Sequence, residues 1–238
     1  MKKIFVFSDN HGHCKALMHA LSHAGFDAEN EEHLLVGCGD YFDRGDENMQ
    51  VLRFLERIPR KVLLRGNHED MLLELLQTGR LQPHHYLNGT LQTLQDLFGK
   101  YVVDPASDTL DLEGKTGTVD RMCDFIGQTV DHFETEGYFF VHGWVPEGCQ
   151  TAAQCRAATP KQWAMARWTR WSDAYDLTPP LRDKTLVCGH MPTFFAKMID
   201  PSRPAHCDDI FYGNGMIAID GATHSYGRVN VLVLEQPW

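Results

Sequence analysis

Three times before residue 70 the chain repeats one pattern. A short apolar run ends in a polar, glycine-bearing cluster, and an amphipathic stretch follows. Ile4-Phe5-Val6-Phe7 runs into Ser8-Asp9-Asn10-His11-Gly12. Leu34-Leu35-Val36 precedes Gly39-Asp40-Tyr41-Phe42-Asp43-Arg44-Gly45, and Val62-Leu63-Leu64 precedes Gly66-Asn67-His68-Glu69. Helical spacing of Leu17, Leu21 and Ala24 predicts a helix over 14–24 that stops at Gly25. Val51, Leu52, Leu55 and Ile58 predict another over 46–58, with Asp46 as N-cap and Pro59 as terminator. A third runs from about 68 to 77 and ends at Gly79. Alternation of this kind demands parallel strands joined by crossovers. In such sheets the ligand site lies beyond the carboxyl ends of the strands, where the polar clusters sit.

Beyond Gly79 the pattern changes. Residues 80–136 read as a helical insertion lying over the site, with helices near 90–98 and 119–135 around a turn-rich piece at 104–118. Tyr138-Phe139-Phe140-Val141 returns to the sheet and leads into His142-Gly143. Residues 160–170 look helical, and Leu186-Val187-Cys188 is a buried strand before Gly189-His190. Strand-like runs at 210–212, 216–219 and 229–234 predict a second sheet, hence an α/β sandwich. No repeat or linker interrupts the chain, so 1–238 reads as a single domain carrying the insertion.

Composition sets the outer bounds. With 238 residues, 43% of them hydrophobic and 23% charged, the chain has ample material for a core. Its net charge of -10 disfavours nucleic acid and anionic membrane as partners. Seven cysteines, odd in number and without a CxxC pair, point to a reduced, cytoplasmic setting. The Lys2-Lys3 start resembles a signal peptide only superficially, because Ser8-Asp9-Asn10-His11 cuts the apolar run short. A soluble monomer or weak oligomer is expected.

The polar clusters supply carboxylate, amide oxygen and imidazole donors: Asp9, His11, Asp40, Asn67, His142 and His190. Strand context would gather them at one edge of one sheet. A carboxylate can bridge two cations, and this donor mix suits Mn, Fe or Zn better than Ca. Two such ions would hold a bridging water and lower its pKa, so the expected reaction is hydrolysis of a phosphate ester by the bridging hydroxide.

In these motifs the sequence resembles the calcineurin-like metallophosphoesterases. Within them it is similar to the PPP-type Ser/Thr protein phosphatases, particularly the short bacterial and lambda phage type. The resemblance covers the sheet-forming parts on both sides of the insertion. It implies a metallophosphoesterase α/β sandwich, two mixed sheets flanked by helices, and two divalent metal ions, manganese first with iron or zinc as alternatives. By motif, Asp9 and His11 would bind one metal, Asn67, His142 and His190 the other, and Asp40 would bridge. Arg44 resembles the family's phosphate-clamping arginine. His68 resembles its general acid, with Asn67 beside it in the substrate-binding motif, and Asp43 resembles the carboxylate that orients that histidine. Trp168-Thr169-Arg170 resembles the phage enzyme's Trp-x-Arg element, which selects Arg170 as second phosphate-binding arginine, with Arg167 as rival. Two departures stand out: Ser-Asp-Asn-His-Gly replaces the more usual Gly-Asp-Ile/Val-His-Gly, and Asp46 replaces a common Pro.

The implied substrate is a phosphorylated protein, or a small phosphoester, with phosphoserine and phosphothreonine favoured. The alternative is symmetrical hydrolysis of dinucleoside polyphosphates. There the second motif would resemble Asn-Arg-Gly and the third Asn-His-Asp, whereas this chain has Asp43-Arg44-Gly45 and Asn67-His68-Glu69. A non-catalytic binding protein would have lost a ligand or the general acid, and none is missing. The remaining polar residues have plainer readings. His13, His19, His23, His33, His132 and His224 read as surface or helix-face residues, and His84-His85 as a solvated turn. Trp163, Trp168 and Trp171 read as packing, and His206-Cys207-Asp208-Asp209 as a loop. Asn88-Gly89-Thr90 resembles an Asn-Gly-Gly element of the phage type and is equally a turn before a helix.

Overall fold

The computed structural model describes residues 2–104, 106–204 and 207–236; His206 lies outside them. Strand β1 (Lys2–Phe7) is sandwiched in a four-stranded sheet between β11 (Leu232–Gln236), antiparallel, and β2 (His33–Gly37), parallel; β3 (Lys61–Leu63) follows β2 in parallel. Helices α1 (Cys14–His23), α2 (Asn48–Arg57) and α3 (Asn67–Thr78) make the crossovers. The period of two along β1 divides its side chains. Phe5 and Phe7 pack outward against Leu17, Leu21, Leu52 and Leu72 of the helices, while Ile4 and Val6 face the other sheet.

That other sheet has the order β6 (Phe133–Glu134), β7 (Tyr138–Phe140), β8 (Thr185–Cys188), β10 (Met216–Ala218), β9 (Phe211–Gly213). Phe140, Val187 and Ile217 meet Ile4, Val6, Val36 and Leu234 between the sheets. Phe139, Cys188 and Met216 turn outward onto Trp163 and Trp171. They lie beneath α7 (Ala152–Arg156), α8 (Pro160–Ala166) and α9 (Trp171–Ala174), and a 3-10 helix spans Thr193–Met198. The result is a helix–sheet–sheet–helix sandwich.

Membership of the sheets differs from the sequence expectation. Tyr138–Phe140 and Thr185–Cys188 do not return to the first sheet; they are the centre of the second. The last strand instead closes the first sheet against β1, since Leu232 and Leu234 complete its inner face. The loops carrying the expected ligands therefore come from two facing sheets, not one.

The insertion holds α4 (Pro83–Leu87), α5 (Thr90–Phe98), the hairpin β4 (Val103–Asp104) and β5 (Thr109–Leu110), and α6 (Thr116–Gly127). Its last helix starts and ends earlier than expected. Residues 128–135 are not helical: Val130 bridges Leu64 in parallel, and Arg65 N–H donates to the Val130 carbonyl at 2.9 Å. Sheet pairing at β-branched Thr129-Val130 overrides the helical spacing. Three smaller corrections follow. Glu47, not Asp46, is the N-cap of α2, and its carboxylate is turned to Lys15. The expected helix at 160–170 ends at Ala166, and α9 begins only at Trp171. His85 is buried, accepting from Gln82 N–H at 2.8 Å, so it is no solvated turn. Trp163 and Trp171 are packed, but Trp168 is 50% exposed. The short helix α10 (Thr223–Tyr226) precedes β11, and no helix among the described residues is long and apolar enough to cross a membrane.

Candidate functional site

The loops after β1 and β2 are tied together by their backbones. Asp9 N–H donates to Gly39, His11 N–H to Asp40 and Gly12 N–H to Tyr41, at 3.1, 3.1 and 2.8 Å. Glu69, at the start of α3, closes the third loop onto them. Its carboxylate accepts from Gly66 N–H and Asp40 N–H at 2.9 Å each and from Tyr41 N–H at 2.8 Å. A side chain at Gly66 would collide with the Asp40 carboxylate, so only glycine permits this approach. Asp9, His11, Asp40, Asp43, Arg44 and His190 all have φ between 42° and 72°. Left-handed backbone in non-glycine residues is strained and gathers at sites whose surroundings over-determine it.

Asp40 sits in the middle. Its carboxylate oxygens lie 3.4 Å from His142 Nε2 and 3.8 Å from His11 Nε2 and from His68 Nε2. Donor atoms of His11, Asp40 and His68, and of Asp40, His142 and His190, fall within 4.8 Å of one another. Three of the imidazoles share a device. His11 Nδ1–H donates to the Phe42 carbonyl at 2.9 Å, His142 Nδ1–H to the Cys38 carbonyl at 2.7 Å, and the His190 ring to the Trp168 carbonyl. Each is thereby fixed in the tautomer whose other nitrogen carries a lone pair. The His142 lone pair faces the Asn67 amide oxygen at 2.8 Å. The His11 lone pair faces Arg44 Nη1 at 2.9 Å.

Electrostatics favours neutrality in this cluster. Burial, then the nearby His68, pushes the His11 pKa well down; burial and His190 do the same to His142. Burial lowers His190 to about 4. Burial, then Asp220, raises the Asp9 carboxyl well above its usual range, and burial, then Asp9, raises Asp40. Asp9 Oδ2 accepts from Ser8 Oγ and from His190 N–H at 2.9 Å, while Oδ1 is buried with no hydrogen-bond partner. An orphaned carboxylate oxygen, lone-pair imidazoles and an amide oxygen converging on one carboxylate fit divalent cations with mixed N and O preference.

His68 is set apart by its partner. Its Nδ1–H donates to Asp43 Oδ2 at 2.7 Å, a carboxylate instead of a carbonyl, and Nε2 faces the same central space 3.3 Å from Arg44 Nη2. Asp43 is fully buried and held by Thr90 Oγ at 2.9 Å and Thr93 Oγ at 2.7 Å. Both hydroxyls come from α5, and the Gly89 carbonyl accepts from Arg44 N–H at 3.4 Å, so the Asn88-Gly89-Thr90 turn does lie against the site. The two candidate arginines differ sharply. Arg167 is buried, its guanidinium engaged by Asp70 at 2.7 Å and Asp131 at 2.6 Å. Arg170 is exposed, makes no ion pair with a described residue, and its charge is felt by His190.

Residues 2–225 match the calcineurin-like phosphoesterase family. The chain belongs to that family. It is similar to serine/threonine-protein phosphatase 2 of Escherichia coli strain K12, 38% identical over 78 residues that make up 33% of this chain and 34% of that protein. It is also similar to serine/threonine-protein phosphatase 1 of Salmonella typhimurium, 37% identical over 73 residues, 31% and 32% of the two chains. The matched segments thus span about a third of these relatives. Among solved structures, a protein described as a candidate diadenosine tetraphosphatase aligns with TM-score 0.58 and 16% identity, covering 98% of this chain and 89% of the other. The cold-active protein-tyrosine phosphatase of a Shewanella species aligns with TM-score 0.55 and 17% identity over 99% and 76%. At such identities these two structures share the fold.

Within this member of the family, all the residues singled out by motif come together except Arg170, which is exposed. Sequence reading missed Glu69's bracing of the loops, the Thr90 and Thr93 clasp on Asp43, and Asp220. Asp220 follows β10, is buried beside Asp9, and is pushed by burial up to about 7. The spacing of Thr90 and Thr93, two hydroxyls on the same helix face as buried Leu94 and Leu97, was the available signal.

Proposed function

We propose that the protein is a metal-dependent phosphomonoesterase acting on phosphoserine and phosphothreonine in proteins. The observation that carries the reading is the His68–Asp43 pair at 2.7 Å, with His68 Nε2 turned into the space shared by Asp40, His11 and Arg44. Asp9, His11 and Asp40 would hold one divalent ion and Asp40, Asn67, His142 and His190 the other, with manganese the expected metal. Bound there, the ions supply Lewis acidity and lower the pKa of the attacking water. Arg44 and Arg170 grip the non-bridging phosphate oxygens, and guanidinium geometry suits that task. As the bond from phosphorus to the ester oxygen breaks, His68 delivers its Nε2 proton to the departing alkoxide. Asp43 holds the ring in place through Nδ1. The products are an alcohol and inorganic phosphate.

The serine/threonine preference is supported by the names of the bacterial relatives and by Asp43-Arg44-Gly45 and Glu69. A cytoplasmic setting is supported by seven free cysteines. Metal-stripped protein reloaded with Mn²⁺ tests the reading, by comparing kcat/KM on a phosphothreonine peptide and on diadenosine tetraphosphate. Preference for the peptide is expected. Preference for the dinucleotide would replace the substrate assignment with polyphosphate hydrolysis.

A further inference from the structure

Buried between two carboxylates, Arg167 is not free to grip a phosphate, yet it stands where three ligand loops meet. Its Nε–H donates to Asp70 Oδ2 at 2.7 Å and its Nη1–H to Asp131 Oδ1 at 2.6 Å. Asp70 lies in the first turn of α3, three residues after Asn67. Asp131 follows Val130, which bridges Leu64 and accepts from Arg65 N–H at 2.9 Å. Arg65 Nη1 approaches Asp70 at 3.8 Å and closes the group. The two carboxylates therefore flank residues 66–69, the third polar loop of the first sheet.

The backbone around Arg167 leans on the other sheet. Trp144 N–H donates to the Ala166 carbonyl at 3.0 Å. A Cβ at Gly143 would stand 2.7–2.8 Å from the carbonyl oxygens of Ala166, Arg167 and Thr169, so this segment packs directly on the residue after His142. Trp171 Nε1–H donates at 2.7 Å to the carbonyl of Met191, the residue after His190. Residues 166–171 thus rest on the immediate successors of both histidines, and the Arg167 side chain carries that contact across to the helix of Asn67. An ion pair buried in this way adds little net stability over an apolar contact of the same volume. What the planar guanidinium fork adds is direction, because it fixes both of its partners at set angles.

We infer that Arg167 is a positioning residue for one metal site: held by Asp70 and Asp131, it sets the spacing of Asn67 against His142 and His190. The inference rests on the reading above, in which those three residues and Asp40 hold one of the two ions. Metal–ligand distances tolerate only about 0.2 Å of error. A donor set divided between two sheets therefore needs a rigid spacer, and the doubly paired guanidinium supplies one.

The test titrates the full chain, stripped of metal, with Mn²⁺, and counts bound ions by equilibrium dialysis and direct metal analysis. Wild type is compared with Arg167→Met, Arg167→Lys, Asp70→Asn and the Arg167→Met/Asp70→Asn double variant, and thermal unfolding without metal is recorded for each. Methionine removes the buried charge and keeps much of the volume. The Asp70 and Asp131 side chains are 27% and 37% exposed, so water can take over from the guanidinium and the fold is expected to survive. Wild type is expected to bind two ions. Arg167→Met should weaken one of the two sites roughly tenfold, the loss usual for a partner standing behind metal ligands, and leave the other unchanged. Asp70→Asn should show part of that loss, and the double variant should bind no more weakly than Arg167→Met, as for two members of one interaction. Lysine, a point charge without the fork, should recover only part of the affinity. A lower Tm with both Mn²⁺ affinities unchanged would make Arg167 a stabilising pair only; that result, or additive losses in the double variant, overturns the inference and leaves the metal reading standing. Fewer than two ions on the wild type would overturn the metal reading and the inference with it. Should Arg167→Met fail to fold, Asp70→Asn decides alone, and unchanged affinity at both sites overturns the inference.

Discussion

What a site histidine can do in this protein is decided by the partner of its far ring nitrogen. A backbone carbonyl behind His11, His142 and His190 fixes a lone pair toward the centre, and burial outweighs the carbonyl's pull toward a charged ring. A buried carboxylate behind His68 does the reverse, since it can balance the charge of an imidazolium. In the proposed reading, ligand and acid are thus separated by one acceptor type. His68→Asn removes the proton donor but keeps a polar side chain of similar reach. It should slow hydrolysis of a phosphothreonine peptide by roughly a hundredfold to ten-thousandfold. Hydrolysis of p-nitrophenyl phosphate, whose leaving group needs little protonation, should fall far less. Equal losses on both substrates would remove the general-acid assignment.

Helix α5 shows how an insertion becomes part of a site. Its first turn places Thr90 and Thr93 on either oxygen of Asp43, and its apolar face, Leu94 and Leu97, anchors it to the core. Supports of this kind are commonly worth ten- to a hundredfold in activity. Thr93→Val keeps the shape and loses the hydroxyl; kcat should fall about tenfold with little change in KM or in bound metal, and Thr93→Ser should recover most of it. Unchanged kcat in the valine variant would show that Thr90 alone suffices. The contrast with the motif residues explains what was legible in advance. Asp9, Asp40 and Asn67 announced themselves because each ends a buried strand, where an isolated polar residue has few structural excuses. Thr90 and Thr93 sit in an ordinary amphipathic helix, where threonine is unremarkable until its partner is known. The paired sheets were half legible for a related reason. Short apolar runs reveal strands, but the choice of neighbour depends on inner-face packing, and Leu232 and Leu234 could be assigned to β1 only once both sheets were in place.

Taken as a whole, the molecule buries a cluster of acids and bases whose protons respond in opposite directions. Asp220, lifted from 3.8 to about 7, keeps a proton that the unfolded chain gives up, so its contribution to stability declines as pH rises through that window. His190, lowered from 6.5 to about 4, stays neutral where the unfolded chain is charged, so its contribution grows as pH rises from about 4 to 6.5. The two trends offset across their overlap. Under the proposed assignment, metal binding would break the balance, because Asp9 and Asp40 would have to lose protons that burial favours, while burial already disfavours charge on the imidazoles. The rise in Tm on adding Mn²⁺ should therefore be larger at pH 7.5 than at pH 5.5, and Asp40→Asn should abolish most of it. A larger rise at the lower pH, followed by thermal unfolding with and without Mn²⁺, would refute the carboxylate assignment.

The bond from His190 N–H to Asp9 joins residues 181 positions apart. Its consequence is one of timing. Asp9, Asp40 and Asn67 leave the ribosome early, but the second sheet that brings His142 and His190 is made much later. Pairings across so long an interval form late in folding, after the entropy of closing a long loop has been overcome. A nascent or truncated chain ending before β8 would hold five of the six candidate donors but lack His190 and the central strand of the second sheet. Hydrolytic competence would then arrive as nearly the last event in the birth of the molecule, after the core that protects it has closed.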